Sequence, residues 1–262
     1  MHKRATLADV AARSGLSKTA VSLVLNDRPG SRLSPEAVQR IHEAARELNY
    51  RPNPAARSLR VGTTRTVGFI SDEVTVTRFA SAMIRGLLDV ADEHDHGVLI
   101  AETGNHPKQL EKALESMIDR QVDGIIFGSL TARLLDLPEL PERVRAVMAN
   151  STSPAAHSAV LPAERDAGFH VARLLLDAGH GDGIAIIGHA PKAIADCRVS
   201  ATIGSRFAGI HLALGEAGVR PVAVAEFEVW EPWHGYDATR AVLESGVPVT
   251  GLICLNDRVA FG

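Results

Sequence analysis

No apolar run in this chain approaches the roughly 20 residues that cross a bilayer, and Met1-His2-Lys3-Arg4 leads at once into a capped helix, without the apolar core of a secretory signal. Both absences predict a cytoplasmic protein with no membrane partner. Cysteine is nearly missing. The two present, Cys197 and Cys254, lack CxxC spacing and lie on or near apolar segments, so they are expected to be buried structural thiols and not a disulfide or a zinc site. The 11 histidines form no metal-binding helix pattern, and His94 and His96 flank Asp95 at what reads as an exposed helix end. There is no G-x-S-x-G and no P-loop, and the GHGDG of 179–183 reads as a turn between helix and strand. With no nucleophile motif, metal ligand set or cofactor fingerprint, the chain is not read as an enzyme and no cofactor is expected.

What is present is ordinary globular material: 262 residues, 45% apolar and 23% charged, enough for two domains and a sizeable core. The net charge of −3 hides an asymmetry. Residues 1–65 hold 12 Lys and Arg against 5 Asp and Glu, a balance of +7, whereas 66–262 hold 16 against 26, a balance of −10. A basic head on an acidic body confines polyanion binding to the first quarter of the chain.

In that quarter, Thr6 to Asn26 (TLADVAARSGLSKTAVSLVLN) carries helix-turn-helix spacing. Ala11 is the small residue where two helices cross, Gly15 sits in the tight turn, and Val21 is a branched apolar residue facing inward from the second helix. Thr6, three residues before Asp9, can cap the first helix, and Ser17 the second. Val21, Val24 and Leu25 share one face, which leaves Lys18, Thr19, Ser22 and Leu23 outward, the side that a recognition helix offers to the major groove. A Pro- and Gly-rich turn follows at 27–32. A third helix is expected from Ser34-Pro35-Glu36, sealing the small core with Val38, Ile41, Ala45 and Leu48. From 51 to 65, prolines 52 and 54 and a Gly-Thr-Thr run bracket one seven-residue segment, Pro54 to Arg60, too short to be a helix alone in water.

The motifs T-x-x-D-V-A, S-x-x-x-V-S-x-x-L-N and Y-R-P-N-x-x-A-R-S-L together resemble the headpiece and hinge of the lactose-repressor (LacI) family of bacterial transcription regulators. The resemblance implies that 54–60 is the hinge helix that forms in the minor groove, with Leu59 as the wedge at the central base step, Ala56 as the small residue allowing close approach, and Arg57 at phosphate. It also implies base reading by Lys18, Thr19 and Leu23, and phosphate contacts from Thr6, Ser17, Ser22 and Asn26.

Beyond Thr66 the pattern alternates. TVGFI, GVLIAE, DGIIFG, RAVMAN, GIAIIG, PVAVAEF and TGLICL are strand candidates separated by helices, among them Arg78 to Glu93 with a Phe79, Met83, Leu87, Val90 stripe, Glu164 to Ala178, Ile203 to Ala217 and Trp233 to Glu244. Repeated βα units predict a parallel sheet covered on both faces, with a crossover between two lobes at 151–162. V-D-G-I-I-F at 122–127, A-G-H at 178–180, R-F-A-G at 206–209 and N-D-R-V-A-F-G at 256–262 resemble the two-lobed periplasmic-binding-protein-like core of the same family. The expected fold is therefore α/β: an all-α headpiece (1–50), a hinge (51–65), and two parallel-sheet lobes (66–160 and 161–262), the second incomplete because the family continues past N-D-x-x-A-x-G.

Strand carboxyl ends put Asn150 and Asp257 at the cleft. The family pattern adds Arg206 as the guanidinium gripping effector oxygen and Trp230 and Phe79 as aromatic faces, a set suited to a sugar-like ligand. Ala163 stands where the family commonly shows an aspartate. The function expected is a repressor that binds a near-palindromic operator in double-stranded DNA as a homodimer under control of a small effector. The alternatives are a truncated or defective repressor and a cytoplasmic small-molecule binder without regulatory output.

Overall fold

Side-chain caps set where the first helices begin. The computed structural model describes residues 5–26, 33–51, 58, 62–73, 78–155 and 157–262, and the side chains of 78–80 lie outside that description. The chain divides into two compact units, Met1–Thr64 and Arg65–Gly262. In the first, α1 spans Leu7–Ser14, α2 Lys18–Leu25 and α3 Pro35–Glu47. Thr6 and Asp9 form a reciprocal capping box, Thr6 Oγ1 accepting from the Asp9 amide at 3.3 Å and the Thr6 amide donating to Asp9 Oδ2 at 2.8 Å. Ser17 accepts from the Ala20 amide and Ser34 from the Ala37 amide. Gly15 ends α1 at φ 72°, a left-handed conformation that disfavours any residue with a Cβ. Val10, Val21 and Ile41, one from each helix, are fully buried, with Val38, Leu48 and Tyr50 packed around them. Each such side chain contributes about 1.5–3 kcal/mol of burial.

The second unit starts with a five-stranded sheet, all parallel, in the order β2-β1-β3-β4-β5. Its strands are β1 Thr66–Ser71, β2 Gly97–Glu102, β3 Gly124–Leu134, β4 Arg145–Thr152 and β5 Ser158–Val160. Neighbouring residues of β1 face opposite layers. Phe69 packs on Met83, Ile84 and Leu87 of α4 (Arg78–Glu93), and Ile70 packs on Leu114 and Met117 of α5 (Pro107–Asp119). Both faces of β1 are thus covered, which is why it reads as an unbroken apolar run. Two details depart from the sequence reading. Val90 of the expected α4 stripe is 55% exposed, Ile84 taking its place in the core. The expected crossover at 151–162 contains β5, paired with β4.

The second lobe holds β6 (Ile184–His189), β7 (Ala223–Glu226) and β8 (Gly251–Cys254), parallel and in the order β7-β6-β8. β6 is central, and Ile184 to Ile187 are all buried. The helices are α6 (Glu164–Asp177), α7 (Pro191–Ala195), α8 (Ile203–Glu216), α9 (Pro232–Glu244) and α10 (Asp257–Phe261). Helices α6 and α8 cross at two glycines: a Cβ on Gly168 would stand 2.1 Å from the Arg206 carbonyl oxygen, and one on Gly209 2.0 Å from that of Arg165. The backbones themselves are in contact there. Cys254 is half-buried, but Cys197, expected to be buried, is exposed, because it falls in the loop between α7 and α8 and not on a strand. No helix among the described residues is long and apolar enough to cross a membrane.

Candidate functional site

In the first unit the buried faces determine which face is left over. Val21 and Val24 anchor α2 in the core, so Lys18 and Thr19 are exposed and Ser22 and Leu23 half-exposed. The free side therefore offers a cation, a hydroxyl and an apolar branch within six residues. Thr6 and Ser17, both exposed, mark helix N-termini, whose amides and positive dipole ends suit phosphate. Asn26 closes α2 by donating to the Ser22 carbonyl oxygen at 2.7 Å. Ala56, Arg57 and Leu59 of the expected hinge helix lie outside the described residues.

In the first lobe, the carboxyl ends of β1, β2 and β3 enclose a cavity of about 230 Å³. A β-bulge shapes it: the β3–β4 register shifts between Gly128 and Arg133. Such a bulge leaves ladder groups unpaired and re-aims the side chains that follow. Two side chains take up those groups. Asn150, held at φ 51°, donates through Nδ2 to the Ser129 and Leu130 carbonyl oxygens at 2.9 and 3.1 Å, and Asp72 Oδ1 accepts from the Leu130 amide at 2.9 Å. Asp72 Oδ2 then takes a hydrogen bond from Arg133 at 3.0 Å, and Asn105 accepts from the same nitrogen. The Ser129 hydroxyl, Arg133 Nε and Asn150 Oδ1 are sealed from solvent without a partner.

The second lobe reaches the edge of this cavity. The Leu134 amide donates to the Cys197 carbonyl oxygen at 2.8 Å, and the Ala201 amide to that of Ala132 at 2.7 Å. Beside them Arg198, which lines the cavity, meets Asp136 at 3.2 Å.

Two family descriptions match the chain: "Bacterial regulatory proteins, lacI family" over residues 6–53, and "Periplasmic binding proteins and sugar binding domain of LacI family" over 64–262. The chain belongs to the LacI family. Among LacI-family relatives, the HTH-type transcriptional repressor PurR of Pasteurella multocida is 29% identical over 98% of this chain and 75% of its own length. The PurR of Vibrio cholerae is 27% identical over 98% and 75%. In fold the chain is similar to a lac repressor dimer bound to operator and an anti-inducer, with a TM-score of 0.73 at 22% identity over 98% of this chain and 76% of that one. The all-α headpiece and parallel-sheet α/β core expected from the sequence are those of the LacI family.

Of the five residues expected at a LacI-type effector cleft, the structure describes the side chains of Asn150, Arg206, Trp230 and Asp257. Asn150 braces the bulge that forms the first-lobe cavity. Arg206 is bound on both sides by Glu164, Nε to Oε2 at 2.5 Å and Nη2 to Oε1 at 2.6 Å, and also donates to the Leu255 carbonyl oxygen. It lines, together with Asp257, a separate groove along β8, α6 and α10. Next to Ala163, where the family aspartate was expected, Glu164 is the acid that pairs with Arg206. Trp230 packs against the second-lobe core with Nε1 buried and unpartnered, and the Phe79 side chain lies outside the described residues. The sequence reading missed Asp72, Ser129, Arg133 and Arg198. Asp72 alone had a signal, a carboxylate just past the end of an apolar strand.

Proposed function

We propose that the chain is a transcriptional repressor that binds a near-palindromic operator as a homodimer in the cytoplasm, its affinity set by a small molecule held in the Arg65–Gly262 unit. We read it as a regulator and not an enzyme. The observation that carries this is the orientation of α2: with Val21 and Val24 buried, Lys18, Thr19 and Leu23 form the face available to base edges. Thr6, Ser17, Ser22 and Asn26 flank that face and serve the phosphates. Ala56, Arg57 and Leu59 extend the contact into the minor groove as a kinking segment. The basic balance of the first 65 residues supplies the sequence-independent attraction, so affinity falls with added salt. Asn150, Arg206, Trp230, Phe79 and Asp257 belong to the effector unit in this reading, Asn150 by shaping the cavity and Arg206 by bracing the second lobe. Effector and operator act reciprocally, each changing the other's affinity by the same factor.

Selection of bound sites from random duplexes at fixed salt, with oligomeric state measured on the same preparation, tests the reading. A dimer that enriches a two-fold symmetric sequence supports it, and a confirmed dimer that enriches none sinks it. Lys18→Ala relaxes preference at one base position in each half-site. Uniform weakening across all sequences instead assigns Lys18 to phosphate.

A further inference from the structure

The walls of the first-lobe cavity are unequal in what they leave to a ligand. The acceptors of Asp72 and Ser71 are already used: Asp72 Oδ1 accepts from the Glu73 and Leu130 amides at 2.8 and 2.9 Å, Oδ2 accepts from Arg133, and the Ser71 carbonyl oxygen accepts from the Thr103 hydroxyl at 3.0 Å, while the unpartnered Asn150 Oδ1 belongs to a residue behind the lining. Two of the lining residues carry an atom sealed from solvent with nothing to bond, the Ser129 hydroxyl and Arg133 Nε, which lie just behind the cavity wall. Arg133 Nε can only donate, and a hydroxyl can donate as well. Buried donors of this kind call for an acceptor from outside. Helix α5 points its N-terminal end at the same space through His106 and Pro107, and its N-cap His106 makes no side-chain capping bond. At the rim Arg198 holds a second guanidinium, 64% exposed and paired with Asp136 at 3.2 Å.

We propose that this cavity binds a small ligand bearing an oxyanion, a carboxylate or a phosphoryl ester, whose oxygens accept from Arg133 and Ser129 while Arg198 closes over it. A neutral polyol fits less well, since Arg133 Nε can only donate and, among the lining residues, the Ser129 hydroxyl is the one unpartnered buried group that could take a polyol proton. At about 230 Å³ the space lies below the roughly 300–1,000 Å³ of drug-sized sites, which restricts the ligand to a small metabolite. That this ligand is the effector rests on the repressor reading; that the cavity takes an oxyanion does not.

Glycerol, glycerate and glycerol 3-phosphate, titrated calorimetrically into the full chain, differ chiefly in the group at issue. At least one anion is expected to bind ten-fold or more tighter than glycerol, and the tighter of the two identifies the head group. Arg133→Gln and Ser129→Ala are each expected to lower that affinity at least ten-fold. The serine variant removes an atom that bonds nothing in the protein, so it keeps the test sound if loss of Arg133 unfolds the lobe. Glycerol binding as tightly as both anions, no binding by any of the three, or undiminished anion affinity in Ser129→Ala would overturn the assignment. Operator titrations run alongside separate the two readings. Sequence-selective DNA binding without anion binding removes the ligand class alone. Anion binding that leaves selective DNA affinity unchanged upholds the cavity and removes its role as effector site.

Discussion

Glu164 grips Arg206 through two parallel hydrogen bonds of 2.5 and 2.6 Å, joining the first turn of α6 to the first turn of α8 across 42 residues of sequence. Arg206 also donates to the Leu255 carbonyl oxygen beyond β8, so one guanidinium ties two helices and a strand. Removing the carboxylate leaves a largely buried cation without its partner. Glu164→Ala is therefore expected to lower stability by about 3 kcal/mol, the low end for a broken buried pair because the Arg206 side chain is still 28% exposed. Urea unfolding gives the value, and a change below about 1 kcal/mol would class the pair with surface salt bridges.

The glycine crossing beside that pair tolerates no side chain. Gly168→Ala sets a methyl 2.1 Å from the Arg206 carbonyl oxygen, and since the obstacle is backbone, the helices must separate. A loss of about 3 kcal/mol or more is expected. Gly215→Ala, on the same α8 with nothing within 4 Å of an added Cβ, is the control and should be neutral or slightly stabilising.

In the headpiece the two local signals separate into two terms. Thr6→Ala breaks the capping box and Gly15→Ala forces a Cβ into φ 72°; each is expected to destabilise the small unit by about 1 kcal/mol. Hydrogen exchange of α1–α3 amides reads this directly, and protection in the β6 region should not change.

The thiols differ in reactivity. Cys197 is exposed, whereas burial pushes the Cys254 thiol up from its ordinary range. At pH 8, iodoacetamide should modify Cys197 about ten-fold faster or more. The folded Cys254 keeps its proton to higher pH than the unfolded thiol, so its contribution to stability is complete below the unfolded value and is lost as pH rises toward the folded one. A Cys254→Ala variant should lose that part of the alkaline decline in urea midpoint.

Much of the fold was legible because its signals are local. Helix α4 runs over Arg78–Glu93 as its periodicity predicts, and Thr6, Ser17 and Ser34 cap the helices they precede. The apolar run Ile184–Ile187 became the central strand β6, buried on both faces, and β8 pairs beside it with Ile253 buried and Leu252 exposed. Strand β5, three exposed residues, and α7, five residues, carry too few positions for a period to register. The cavity was illegible for a different reason. Its shape depends on a register shift in β3, and the Asp72–Arg133 and Glu164–Arg206 partners sit 61 and 42 residues apart. Family resemblance pointed to Arg206 as a grip on effector oxygen, and no local pattern shows that an acid on a neighbouring helix is also bonded to it.

Strand β3 runs on past its bulge to Leu134, and that continuation gives one short stretch two duties. Arg133 faces the cavity, while Ala132 and Leu134 on either side of it are hydrogen-bonded to the α7–α8 loop of the other lobe. A shift of Arg133 along the strand is therefore expected to be felt at both of these hydrogen bonds, one peptide unit away on either side.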